Sequence, residues 1–233
     1  MFPNYIWDMA TTNKELYLTF DDGPTPEITN WTLDILKQYD AKATFFCIGS
    51  NIGKHPNIFK RVIDEGHAIG NHTQNHIKGW TTTTKNYLSE VDQTQSTIQK
   101  YHSTLQAFDT NKPHVEEDSL HPQSLAKRDK RDNPNNNFKT ALFRPPYGQI
   151  KPKQGRKLID LGYHIIMWDV LSFDWEQNLS GKKCFENVVS KSKPGSIIVF
   201  HDSVKASKNM MYALPRVLAY FSKKGYSFKV IDL

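Results

Sequence analysis

The chain has 233 residues, of which 38% are hydrophobic and 23% charged, and its formal net charge is +6 at pH 7. That balance excludes a disordered chain, a collagen, a coiled coil and a disulfide scaffold. A chain of this length buries about 70–75% of its unfolded surface, which is enough for one core and predicts a single domain over residues 1–233.

The start, Met1 to Ala10, has neither the basic segment nor the apolar run of a signal peptide, and no stretch approaches the roughly 18 apolar residues of a membrane span. By sequence alone the chain reads as cytoplasmic. The lysines are spread along the chain as a solvated face, so no nucleic-acid partner is expected. A monomer is expected. Cys47 and Cys184 lie in apolar surroundings that suit buried free thiols.

In chain order, seven strand candidates are Leu16 to Phe20, Thr44 to Ile48, Ala68 to Asn71, Ala141 to Phe143, His164 to Trp168, Ile197 to Phe200 and Phe228 to Ile231. Helical spacing fills the intervals: Ile28/Trp31/Ile35/Tyr39 behind Thr25-Pro26 as N-cap and first helical residue, then Ile58/Val62, Leu88/Val91/Ile98/Leu105, Leu158/Leu161, Cys184/Val188 and Tyr212/Val217/Phe221. Strand and helix in alternation mean parallel strands with crossover helices. The long interval before Ala141 holds an insertion, and its residues Gln106 to Thr140, with the run AKRDKRDNPNNN, read as a flexible loop.

Polar clusters follow the strand candidates directly, at Asp21-Asp22, His72, Arg144, Asp169/Asp174 and His201. In α/β folds function gathers at such C-terminal strand ends, and clusters after so many strands favour a ring over an open sheet. Asp21 and Asp22 precede Gly23-Pro24; neighbouring side chains on a strand face opposite ways, so both reach one site only if the backbone turns sharply. A bare DDG is more often a polar turn, whereas TFDDGP at the end of an apolar strand is more specific. His72 and His76 are four apart, a spacing that puts two imidazoles on one face of a helical turn. With one carboxylate they would make a set that leaves coordination positions open, the pattern of a catalytic metal, and the two nitrogen ligands favour zinc over calcium or magnesium. The Pro145-Pro146 turn aims Arg144 and a backbone N–H, or is simply a rigid connection; Trp175 beside Asp174 is core packing or a pocket wall; His201 alone reads as a structural histidine.

Taken in order, TFDDGP, HTQNH, RPPYG, DW and a terminal strand ending in His resemble the polysaccharide deacetylase family, carbohydrate esterase family 4, over nearly the whole chain outside the insertion. The resemblance implies a distorted, TIM-barrel-like (β/α) barrel of about seven parallel strands and metal-dependent hydrolysis of N-acetyl groups on a glycan. It implies that Asp22, His72 and His76 hold one divalent ion, zinc ahead of cobalt, nickel or manganese. Asp21 is then the general base, oriented by Arg144, and His201 the general acid, tuned by Asp174. Trp175 and Val199 line the acetyl pocket, and the Tyr147 N–H helps hold the oxyanion. Trp80, with Tyr147 and Trp175, offers a flat face to a sugar ring.

Leu171 and Phe173 depart from the family's charged residues before DW, and Val199 stands where leucine is usual. These departures leave the polymer open among chitin, peptidoglycan, another poly-N-acetylglucosamine and acetylated xylan. The rival readings are an amidase of the same barrel type acting on a small linear or cyclic amide, an acetylxylan esterase, and a glycan-binding module without catalysis. The resemblance also implies a substrate outside the membrane, against the cytoplasmic reading.

Overall fold

The structure, a computed structural model, describes residues 4–109 and 141–233. Its elements run β1 (Glu15–Asp21), α1 (Ile28–Gln38), β2 (Ala43–Cys47), α2 (Gly49–Lys54), α3 (Pro56–Asp64), β3 (Ala68–Asn71), α4 (Thr84–Asp109), β4 (Ala141–Phe143), α5 (Pro152–Asp160), β5 (Tyr163–Ile165), β6 (Val170–Leu171), α6 (Gly181–Lys191), β7 (Ile197–His201), α7 (Ser207–Lys223) and β8 (Ser227–Phe228). Seven strands pair in the order β5-β4-β3-β2-β1-β7-β6, all parallel, and β8 adds to the first residues of β1. This sheet curls into a half-barrel with helices packed around it, the distorted (β/α) barrel expected from the motifs.

The central strands are buried on both faces, as parallel strands covered by helices must be. Every residue of β2 is buried, and only Glu15 of β1 is not. Phe20 stacks on Phe45 at 5.0 Å and on Phe200 at 6.1 Å, which ties β1, β2 and β7 into one core. Helices α1 and α7 close over that core through Leu33, Leu36, Leu214 and Leu218. The β1 register is fixed on both sides, with Asp21 beside Phe46 of β2 and His201 of β7. A one-residue slip would turn the buried faces outward.

Four expectations are corrected in detail. The candidate His164 to Trp168 ends early as β5, and the chain then makes a further short strand, β6, that pairs with β7. The last strand is Ser227–Phe228 and not Phe228 to Ile231. Helix α1 begins at Ile28 and not at Pro26, because Glu27 takes a left-handed φ of 65° that no helix tolerates. Helix α4 continues to Asp109, into the interval read as a loop from Gln106; the rest of that loop, 110–140, lies outside the described residues. The N-terminal segment adds isolated bridges, Ile6 to Ile166 directly after β5 and Asp8 to Ser196 directly before β7. No helix among the described residues is long and apolar enough to cross a membrane.

Candidate active site

The motif residues converge at the C-terminal ends of the strands, around a cavity of about 480 Å³ lined by Asp21, Asp22, His72, His76, Tyr147, Trp175, Val199 and His201 among others. Asp21 closes β1 in extended backbone, whereas Asp22 turns at φ 85°, in the left-handed region. The sharp turn needed to bring both carboxylates to one site is therefore made at Asp22 itself, one residue before Gly23. On one side it is held by the Asn51 side chain, which donates to the Asp22 carbonyl at 2.8 Å, and by Ile48 N–H, which donates to the Gly23 carbonyl at 3.0 Å.

His72 and His76 do not share a helical turn. They lie on the loop after β3, where Thr73 and His76 have positive φ, 64° and 55°. Asn71 shapes this loop by accepting the Thr73 N–H at 3.0 Å, and its amide is anchored to the Val91 carbonyl of α4 at 2.8 Å. The rings still meet, 5.0 Å apart. His72 Nδ1–H donates to the Arg144 carbonyl at 2.8 Å, so Nε2 is the lone-pair nitrogen turned to Asp22.

His76 Nε2 lies 3.3 Å and His72 Nε2 3.9 Å from Asp22 Oδ1. The ligand atoms of the three residues all fall within 4.8 Å of one another. Asp22 Oδ1 is a buried oxygen without a hydrogen-bond partner among the described residues. Burial pushes His72 down to about 4 and lowers His76, so both imidazoles are neutral at pH 7. Two neutral imidazoles and an unpaired carboxylate oxygen facing one point are a donor set that fits a divalent cation.

Arg144, fully buried at the end of β4, donates from Nη1 to Asp21 Oδ1 at 2.8 Å and to Thr19 Oγ1 at 2.7 Å. Its Nε and Nη2 donate to the carbonyls of Ile166 and Met167 at 3.2 and 2.8 Å. Burial works against the Asp21 charge, but Arg144, with His72 and His201, outweighs it and holds the Asp21 pKa below its ordinary value. Across the cavity, His201 Nδ1 meets Asp174 Oδ1 at 2.8 Å, and the same carboxylate accepts the His201 backbone N–H at 2.7 Å. Burial favours neutral imidazole there, yet the Asp174 charge and hydrogen bond prevail and push His201 up to about 9.

Trp175 stands edge-on to the His201 ring at 4.8 Å. Tyr147, 55% exposed at φ 59° on the turn Pro146–Gly148, packs on His76 at 4.5 Å with Lys78 Nζ 5.0 Å above its ring. Trp80 is not brought in: it is 61% exposed on the turn Gly79–Thr81 and is not one of the cavity's lining residues. Asp169 belongs elsewhere too, since its carboxylate accepts from Ser196 Oγ and Ile197 N–H at the start of β7, the opposite end of the strand. Trp168, Ser203 and Lys205 line the cavity without having been singled out. For Ser203 and Lys205 the available signal is their place in the loop directly after His201.

A parallel half-barrel with paired acid and base groups around a cation-ready cluster defines a metal-assisted hydrolase. Comparisons with known proteins sharpen that class. The polysaccharide deacetylase family model matches residues 8–110. Two peptidoglycan-N-acetylglucosamine deacetylases of Bacillus cereus are similar: one is 29% identical, covering 97% of this chain and 90% of the relative, and the other 33% identical, covering 96% and 69%. The solved Bc1960 peptidoglycan N-acetylglucosamine deacetylase has a TM-score of 0.77 at 29% identity, covering 98% of this chain and 91% of that one. Peptidoglycan deacetylase PdaC from Bacillus subtilis has 0.71 at 27% identity, covering 94% and 88%. The chain belongs to the polysaccharide deacetylase family, a family of metal-dependent hydrolases.

Proposed function

We propose that this protein removes N-acetyl groups from the amino sugars of a peptidoglycan-type glycan, with zinc as its metal. The observation that carries the reading is a carboxylate kept ionised and an imidazole kept protonated on opposite sides of one cavity, beside a two-histidine, one-carboxylate cluster. The similarity to peptidoglycan deacetylases supports the choice of polymer.

Asp22, His72 and His76 would hold the cation, which when bound supplies a Lewis acid that polarises the acetamide carbonyl and acidifies water. Asp21 is the general base. Arg144 occupies its Oδ1, so Oδ2 is the oxygen that takes the proton from the attacking water. The Tyr147 N–H, on its stiff Pro-Pro turn, donates towards the developing oxyanion, a contribution commonly of a few kcal/mol. His201 is the general acid: Nδ1 is held by Asp174, so Nε2–H is presented to the sugar nitrogen, and the C–N bond breaks as that proton is delivered. Acetate and a free amine are the products. Val199, with Leu171 beside it in the sheet, and Trp175 form the apolar wall against which the acetyl methyl packs.

Acetate release tests the reading, measured on peptidoglycan fragments, chito-oligomers and acetylated xylan with chelator and with zinc restored. Zinc-dependent release from the peptidoglycan fragments is expected. No release from any N-acetylated glycan, with hydrolysis of a small cyclic or linear amide instead, overturns it.

A further inference from the structure

Asp202 follows His201 at the end of β7 and has no part in the chemistry above, yet it is fully buried among the residues that carry that chemistry. Both its carboxylate oxygens are engaged. Oδ1 accepts the Gly23 N–H at 2.9 Å, and Oδ2 accepts the Thr29 hydroxyl at 2.5 Å. Thr29 Oγ1 in turn accepts the Thr25 N–H at 2.7 Å, and the Asp202 N–H donates to the Asp21 carbonyl at 3.1 Å. These bonds grip the backbone on either side of Asp22.

Asp22 needs such a grip. Its φ of 85° lies where side chains with a Cβ are disfavoured and persist only when the surroundings over-determine them. That turn takes the Asp22 side chain off the alternation of β1 and brings its Oδ1 to His72 and His76. Asp202 also presses on the turn from behind: a Cβ on Gly23 would lie 2.0 Å from Asp202 Oδ2, an oxygen that its bond to Thr29 keeps from swinging away. An apolar side chain could fill the same space without the cost of burying a carboxylate. What the carboxylate adds is two directed acceptors, one for the Gly23 turn and one for the first residues of α1.

We propose that Asp202 is a positioning residue for the cation site, locking the Asp22–Gly23 turn so that Asp22 Oδ1 faces the two imidazoles. The inference rests on the reading that Asp22, His72 and His76 hold the cation. Partners one step removed from a metal set its affinity through the orientation of the ligands, typically by 10–100-fold. A residue that only packs the core would change melting temperature and leave the affinity of the folded protein alone.

The test is zinc titration of the metal-free protein against a competing chromophoric chelator, well below the melting temperature and with circular dichroism confirming the fold. Asp202→Ala should raise the zinc Kd roughly 10–100-fold. Asp202→Asn, which keeps an acceptor for the Gly23 N–H, should recover most of that loss. Asp22→Ala separates the two ideas: undiminished zinc binding there sinks the cation-site reading itself. Lost binding in Asp22→Ala with an unchanged Kd in folded Asp202→Ala overturns the positioning role alone. If Asp202→Ala does not fold, Thr29→Val decides, since it keeps the shape and removes the anchor of Oδ2; a Kd raised a few-fold supports the role, and an unchanged one overturns it.

Discussion

At His201 two opposed effects meet in one imidazole. Burial favours the neutral ring, the Asp174 carboxylate at 2.8 Å favours the charged one, and the carboxylate prevails, pushing the pKa up to about 9. Because the folded value lies above the ordinary one of about 6.5, the pair stabilises the fold fully below that pH, and the contribution is lost as pH rises through about 9. A general acid must be protonated to work, so the high-pH limb of the rate profile should fall near the same value. Asp174→Asn keeps the shape and deletes the charge. Burial is then opposed only by the weaker pull of Asp21 and Asp22, and the limb should move to lower pH by about one unit. The variant should also lose more stability at pH 6 than at pH 10. A pH series of kcat/KM on a soluble oligomer, with urea unfolding at both pH values, checks both; a limb that stays in place removes His201 from the acid role.

Arg144 acts at the scale of elements, because the four hydrogen bonds its guanidinium donates join β4 to β1 and to the segment after β5. Its guanidinium also lies 4.1 Å over the Phe46 ring of β2. One planar fork satisfies acceptors lying in several directions, and the single ammonium of lysine cannot. Arg144→Lys should therefore keep the charge beside Asp21 but leave buried acceptors unpaired, at about 1–3 kcal/mol for each acceptor left without a donor. Urea unfolding measures it, and a loss under about 1 kcal/mol would mean that the fork is dispensable. The position of this arginine is legible in the sequence, as are those of Asp21, His72 and His201, because each ends or follows a short apolar run. Strand β6 is not legible: two residues carry no periodicity, and its pairing with Ile198 and Val199 is decided by the sheet. Nor is the loop of His72 and His76, where spacing suggests a helix. Two left-handed residues and the Asn71 side chain override that spacing while keeping the imidazoles together. Trp80 fails for a third reason, since an aromatic near a motif in sequence has no fixed direction once it sits on an exposed turn.

The whole molecule adds a field that no single contact contains. Its formal net charge is +6 at pH 7. At the cavity this meets Lys205, an exposed lysine of the lining without an ion pair among the described residues, while Lys78 stands over the ring of Tyr147, another lining residue. Peptidoglycan fragments carry carboxylates on their lactyl and peptide groups, whereas chito-oligomers are neutral. Attraction between such a glycan and the protein acts before contact and is screened by salt, over about 10 Å at 0.1 M and 3 Å at 1 M. The acetamide is itself uncharged, so screening should act on capture and not on the bond-breaking steps. Raising the salt from about 0.05 to 0.5 M should then increase KM for a carboxylate-bearing fragment several-fold, with kcat nearly constant, and leave both constants for a chito-oligomer almost unchanged. Lys205→Glu should reproduce part of that KM increase at low salt on the anionic substrate alone. Equal salt sensitivity on the two substrates would show that the positive field plays no part in selecting the glycan, and would leave the uncharged lining of the cavity as the source of any preference.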